Sequence, residues 1–151
     1  MTDEIIQFYA DKLINQYSVL VSNNLPFKVV SPQIYLLMMW SGEFSYEQVR
    51  FQAQAWKDIF CFEKIIFPVN KNSNHWMVVT VYPKQRQIQM FDSMGQSDTS
   101  VAQNILKLIK AEYAAKHKGE ALPNEHAWEV EDCKRNEPRQ INGKLLLQVS
   151  F

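Results

Sequence analysis

Between Lys64 and Phe91 the chain changes its hydrophobic period, and that change constrains the fold more than any other feature. Three short runs, Lys64 to Val69, His75 to Tyr82 and Gln87 to Phe91, are rich in β-branched and aromatic residues, the composition of strands. Asn70 to Asn74 and Pro83-Lys84-Gln85 supply turns between them, so neighbouring antiparallel strands are expected. Helical spacing flanks this block on both sides. Ile5, Ile6, Phe8, Tyr9, Leu13, Ile14 and Tyr17 recur at helical intervals, with Thr2 or Asp3 as cap. Ser31-Pro32 makes a helix start, a capping serine before a first-turn proline, leading into Ile34 to Trp40. Ser45-Tyr46-Glu47-Gln48 reads as a capping box for a third helix running to about Trp56. Val101, Ile105, Leu108, Ile109 and Tyr113 mark another helix from Ser100 to about Ala115. A polar loop, Lys116 to Glu125, then leads to a short strand at Trp128 to Val130. Helices, a small antiparallel sheet and a further helix together give an α+β class.

At 151 residues, without repeats or an obvious linker, the chain suits a single domain spanning residues 1–151. Sixteen basic residues balance sixteen acidic ones, which leaves no electrostatic footprint for nucleic acid. No stretch approaches the ~20 apolar residues of a membrane span, and no signal-peptide pattern opens the chain, so no membrane partner is expected. Two cysteines, Cys61 and Cys133, make no disulfide framework, and a reducing compartment, nucleus or cytoplasm, is expected. Cys61, between Phe60 and Phe62, reads as a core residue. Cys133 reads as partly buried or solvent-facing, with Glu129, Glu131 and Asp132 raising its thiol pKa. Cys61, Cys133, His117 and His126 lack metal-ligand spacing, so neither metal nor other cofactor is expected. Lys107, Lys110, Lys116 and Lys118 read as a solvated helix face.

One pair of residues carries a candidate chemistry. His75 opens the second strand run and Asp92 follows the third, 92 − 75 = 17 positions later. Adjacent antiparallel strands joined by a short turn would bring both side chains to the same end of the sheet. A histidine there can act as a base and an aspartate can orient it. The same two residues can equally form a structural hydrogen bond, or be unrelated surface groups.

A family resemblance bears on that choice. Asp3-Glu4-Ile5-Ile6-Gln7-Phe8-Tyr9, Ile65-Ile66-Phe67-Pro68-Val69-Asn70, His75-Trp76 with Val78, Val79 and Val81, and Gln89-Met90-Phe91-Asp92-Ser93-Met94-Gly95 occur in that order. Trp128 and then Pro138-Arg139-Gln140-Ile141-Asn142-Gly143 follow. This succession, residues 3–143, resembles the Ulp/sentrin-type cysteine proteases, which process SUMO and related ubiquitin-like proteins. The resemblance implies a papain-like α+β fold, with helices on a small, mainly antiparallel sheet. It implies His75 as base, Asp92 as its orienter and Gln140 as an oxyanion-hole donor, whose amide NH₂ can meet charge developing on a carbonyl oxygen. Trp76 would wall a channel for the extended Gly-Gly tail of a ubiquitin-like partner, SUMO first and NEDD8 next. The alternative for Trp76 is a core aromatic. The implied reaction is hydrolysis after that Gly-Gly end.

The pattern breaks at the nucleophile. The family continues from Gln-x-Asn-Gly into Asp-Cys-Gly, with the cysteine six positions after the glutamine, and residue 146 here is Leu. Leucine has no nucleophilic atom. Leu145 and Leu147 replace the flanking Asp and Gly, so residues 144–151 form a divergent tail, and the family helix that begins at the cysteine is expected to be absent. An alternative transcript, a frameshifted or truncated reading, and a pseudoprotease that retains a binding surface would each give this ending. Replacement of a whole block favours the first two, since a selected pseudoenzyme would keep the helix and change the cysteine alone. Gly143-Lys144 can be encoded with a splice-donor-like GTAAA, so genomic sequence beyond Gly143 would carry Asp-Cys-Gly codons if an intron is retained. Cys133 is no substitute, being seven positions before Gln140 rather than six after it. An unrelated α+β interaction domain, with His75 and Asp92 structural, remains the other class of reading.

Overall fold

The computed structural model describes residues 3–10, 12, 27–72, 74–92, 94, 98–133, 140–141 and 144–145. Its elements are α1 (Asp3–Tyr9), β1 (Phe27–Val29), α2 (Gln33–Met38), α3 (Arg50–Gln54), β2 (Lys64–Lys71), β3 (His75–Tyr82), β4 (Gln87–Asp92), α4 (Ser100–Lys116), β5 (Glu129–Asp132), β6 (Gln140–Ile141) and β7 (Lys144–Leu145). Short 3-10 turns lie at Ile59–Cys61 and Glu125–Ala127. The fold is α+β.

Strands β1 to β5 form one sheet in chain order. The two central ladders, β2–β3 and β3–β4, are antiparallel, and the shorter edge ladders, β1–β2 and β4–β5, are parallel. Period-2 alternation splits the sheet into two faces. Ile65, Phe67, Val69, Met77, Val79, Val81, Ile88 and Met90 all lie on one face and are at most 2% exposed. That face forms a core with Ile34 and Met38 of α2, Ala53 of α3, and Val101, Ile105, Leu108 and Ile109 of α4. Pro68 is tolerated inside β2 because β1 ends at Val29, opposite Ile66. Ile66 turns its carbonyl to Val30 N–H, so Pro68, two residues on, directs its missing donor past the end of β1.

Several sequence expectations need correction. The helix after Ser31-Pro32 ends at Met38, leaving Trp40 80% exposed. The Ser45 capping box does not form: the third helix covers only Arg50–Gln54, without a side-chain cap. Ser45 N–H bonds back to Met38 O, and Tyr46 reaches α4, where its hydroxyl donates to Glu112 Oε2 at 2.6 Å. The strand expected at Trp128 to Val130 begins one residue later. The first helix is described only to Tyr9 as α-helix; its expected continuation to Tyr17 lies almost wholly outside the described residues. The lysines of α4 are not a uniformly solvated face. Lys116 pairs with Glu112, which is fully buried, and Lys110 pairs with Glu125 at 2.7 Å. Cys61 is exposed rather than in the core: the 3-10 turn points Ile59 inward (1% exposed) and, with Phe62 (3%) beyond it, leaves Cys61 on the outside.

Candidate active site

The β2–β3 turn delivers the first candidate residue. Asn72 there has φ of 54°, a left-handed conformation that asparagine tolerates better than most residues. Asn74 N–H bonds to Lys71 O at 3.3 Å, and β3 then starts at His75. In the β3–β4 ladder Met77 pairs with Asp92, which places Asp92 on the core face, one step diagonal from His75. His75 Nε2 and Asp92 Oδ1 are 2.7 Å apart. The expected meeting at one end of the sheet therefore occurs.

Burial gives that contact weight. The side chains of His75 and Asp92 are only 12% and 2% exposed. A carboxylate accepts but does not donate, so Nε2 is assigned as the protonated ring nitrogen, leaving the Nδ1 lone pair to take a proton. Asp92 Oδ1 also accepts from Met94 N–H at 2.8 Å. Among the described residues, the buried Asp92 Oδ2 has no hydrogen-bond partner. Trp76 is half-buried and points to the opposite face of the sheet, paired with Asn70 across the ladder. Gln140 lies in β6, which pairs with β7 through Gln140–Leu145 and Ile141–Lys144. Its side chain, and Leu146, lie outside the described residues.

Charged groups just beyond the pair were missed in the sequence. Lys71, opposite His75 in the β2–β3 ladder, forms an ion pair with Asp98. Asp98 Oδ1 accepts from the N–H of Ser100, the first residue of α4, at 3.0 Å. The bond from Lys71, followed by those from Ser100, holds the Asp98 carboxyl well below the usual carboxylate range. The available signal was the Asp98-x-Ser100 spacing just before an apolar helical stripe. Cys133, near the end of β5, is partly buried. Burial first, and then Glu131 and Asp132, push its thiol pKa up, the reverse of what a nucleophilic thiol needs.

Among the described residues, no group of three or more His, Cys, Asp or Glu could hold a metal ion. No described helix is long and apolar enough to cross a membrane. A cavity of about 230 Å³ lies between α1, β1, α2 and α3, lined by Lys28, Ser31, Gln33, Ile34, Leu37 and Trp56 among others. It includes none of the candidate residues.

Comparison with known families places this geometry. The family model described as the Ulp1 protease family, C-terminal catalytic domain, matches residues 1–144. The chain belongs to the Ulp1 protease family. Solved structures share its fold. The SUMO protease Ulp1, with its catalytic cysteine oxidised to a sulfinic acid, is 22% identical with a TM-score of 0.65, covering 95% of this chain and 59% of that one. A de-sumoylating protease is 16% identical with a TM-score of 0.73, covering 91% of this chain and 54% of that one. The C-terminal Ulp1 protease domain in complex with Smt3, the yeast ortholog of SUMO, is 22% identical with a TM-score of 0.63, covering 95% of this chain and 58% of that one. The chain thus spans less than two thirds of the length of these structures. No curated protein sequence matches it.

Proposed function

We propose that this chain is the base-bearing, tail-recognising portion of a SUMO-class cysteine peptidase domain, and that as written it binds its ubiquitin-like partner without cleaving it. The observation that carries the reading is the buried His75–Asp92 pair at 2.7 Å, within a chain that matches the family over residues 1–144. In the full reaction a thiolate attacks the carbonyl after Gly-Gly, and an acyl-thioester forms as the imidazolium protonates the leaving amine. His75 fits that role because Asp92 holds Nε2 and leaves Nδ1 for proton transfer. Asp92 orients the ring and stabilises the imidazolium. Gln140 supplies the amide donor for the oxyanion, and Trp76 forms a flat wall suited to glycine. Six positions after Gln140, the family spacing of the cysteine falls on Leu146, whose hydrocarbon side chain can do none of this work.

SUMO is the favoured partner, supported by the Smt3 complex of a relative with the same fold; NEDD8 and ubiquitin are the comparators. The test is a calorimetric titration of this chain with mature SUMO, run beside a peptidase assay on a SUMO precursor. Binding without turnover is expected. Trp76→Ala should weaken binding at least about tenfold, the loss typical of a buried aromatic anchor. Turnover by this chain would overturn the reading of Leu146, and an absence of SUMO binding would overturn the function.

A further inference from the structure

The His75–Asp92 contact joins the start of one strand to the end of the next, and strand ends at turns are where ladders open first. A second contact ties the same two stretches of chain. Lys71 lies four positions before His75 (75 − 71), is its ladder partner, and is joined to the turn by Asn74 N–H. Asp98 lies six positions after Asp92 (98 − 92) and fixes the first turn of α4 through Ser100 N–H. Lys71 Nζ donates to Asp98 Oδ2. Tyr35 of α2 lies within the electrostatic reach of both charges.

We propose that Lys71 and Asp98 are positioning residues, a clamp holding the β2–β3 turn against α4 so that His75 stays within hydrogen-bond distance of Asp92. This rests on the catalytic pair proposed above. When the β2–β3 turn lifts away from the end of β4, Lys71 and His75 move with it as a pair, and the imidazole leaves the carboxylate. An ion pair anchored on the helix start lowers the population of that open state. Its side chains are 27% and 41% exposed, so the clamp is partly screened and sensitive to salt.

The test uses the full chain and the exchange with water of the His75 Nε2 proton, followed by NMR and assigned by its loss in His75→Gln. Lys71→Met and Asp98→Asn should each speed that exchange by roughly two- to fivefold, the range of a partly exposed ion pair. Lys71→Arg should restore the parent rate, while the His117 ring signals stay unchanged throughout. Raising salt to about 1 M on the unaltered chain should speed exchange similarly. An ion pair serving the fold alone would lower the melting temperature of the variants and leave the His75 exchange rate where it was. Exchange insensitive to both substitutions, or to salt, overturns the clamp. If a variant fails to fold, the salt series and Lys71→Arg decide. A SUMO titration on the same samples keeps the two readings apart: lost binding with a responsive exchange rate sinks the function and leaves the clamp.

Discussion

Glu112 offers the sharpest test of how the helices are held to one another. It is a fully buried acid toward the C-terminal end of α4, with Tyr46 OH donating to Oε2 at 2.6 Å and Lys116 Nζ donating to Oε1. Lys116 is not confined in the same way. Its side chain is 22% exposed, and it also donates to Ala53 O at 3.3 Å. The two members of the pair should therefore respond unequally. In Glu112→Gln the amide keeps the volume and still accepts from Tyr46, while Lys116 turns its ammonium toward water. The loss is that of one charged hydrogen bond, about 2 kcal/mol. In Lys116→Met the aliphatic stem is kept, but the Glu112 carboxylate stays buried with Tyr46 as its remaining donor. Stranding one partner of a buried pair costs about 3–5 kcal/mol.

At about 2–4 °C per kcal/mol for a chain of this size, the melting temperature should fall by about 4–8 °C in the first variant and about 6–20 °C in the second. Urea unfolding should show the same order with an unchanged slope. The reasoning fails if Lys116→Met is the milder substitution, because Glu112 would then be reaching a donor other than Lys116. It fails equally if both cost less than about 0.5 kcal/mol, the level of an ordinary surface pair.

Two further outcomes follow from the titrating groups. Burial first, and then the bond to Glu112, raise the Tyr46 phenol above its ordinary value of 10.0, so it stays neutral in the fold while the unfolded chain ionises. Stability from this source is fully present below about pH 10 and is lost as pH rises beyond it; Tyr46→Phe should give a shallower alkaline decline in urea titrations, and an unchanged slope would refute the assignment. Cys61 is exposed, whereas Cys133 is partly buried with a raised thiol pKa. Iodoacetamide near neutral pH should label Cys61 well before Cys133 in a mass-resolved time course, and labelling of Cys133 first would contradict the burial described.

The central sheet was legible because its information is local. β2, β3 and β4 carry their own alternation, and their turns lie within a few residues of the strands they join. The parallel edge strands were harder. β1 is a three-residue strand whose partner begins at Lys64. β5 pairs Glu129 with Gln87, a contact that no local pattern marks. The capping-box expectation failed for a related reason. Ser45 to Gln48 satisfy the local rule, but Tyr46 finds its acceptor 66 positions away in Glu112, and that contact with the core overrides a cap. Cys61 misled because flanking aromatics suggest burial, whereas a 3-10 turn sends successive side chains in different directions.

The candidate site divides along the same line. His75 and Asp92 could be placed together by counting along a hairpin, since the contact is enclosed within residues 75–92. Its geometry follows from the Met77–Asp92 ladder pair. The hairpin alone can therefore bring together His75 and Asp92, the pair proposed as base and orienter. The pair's geometry is thus a property of the hairpin itself, so the proposed recognition without turnover stands or falls on whether SUMO binds while a SUMO precursor stays uncut.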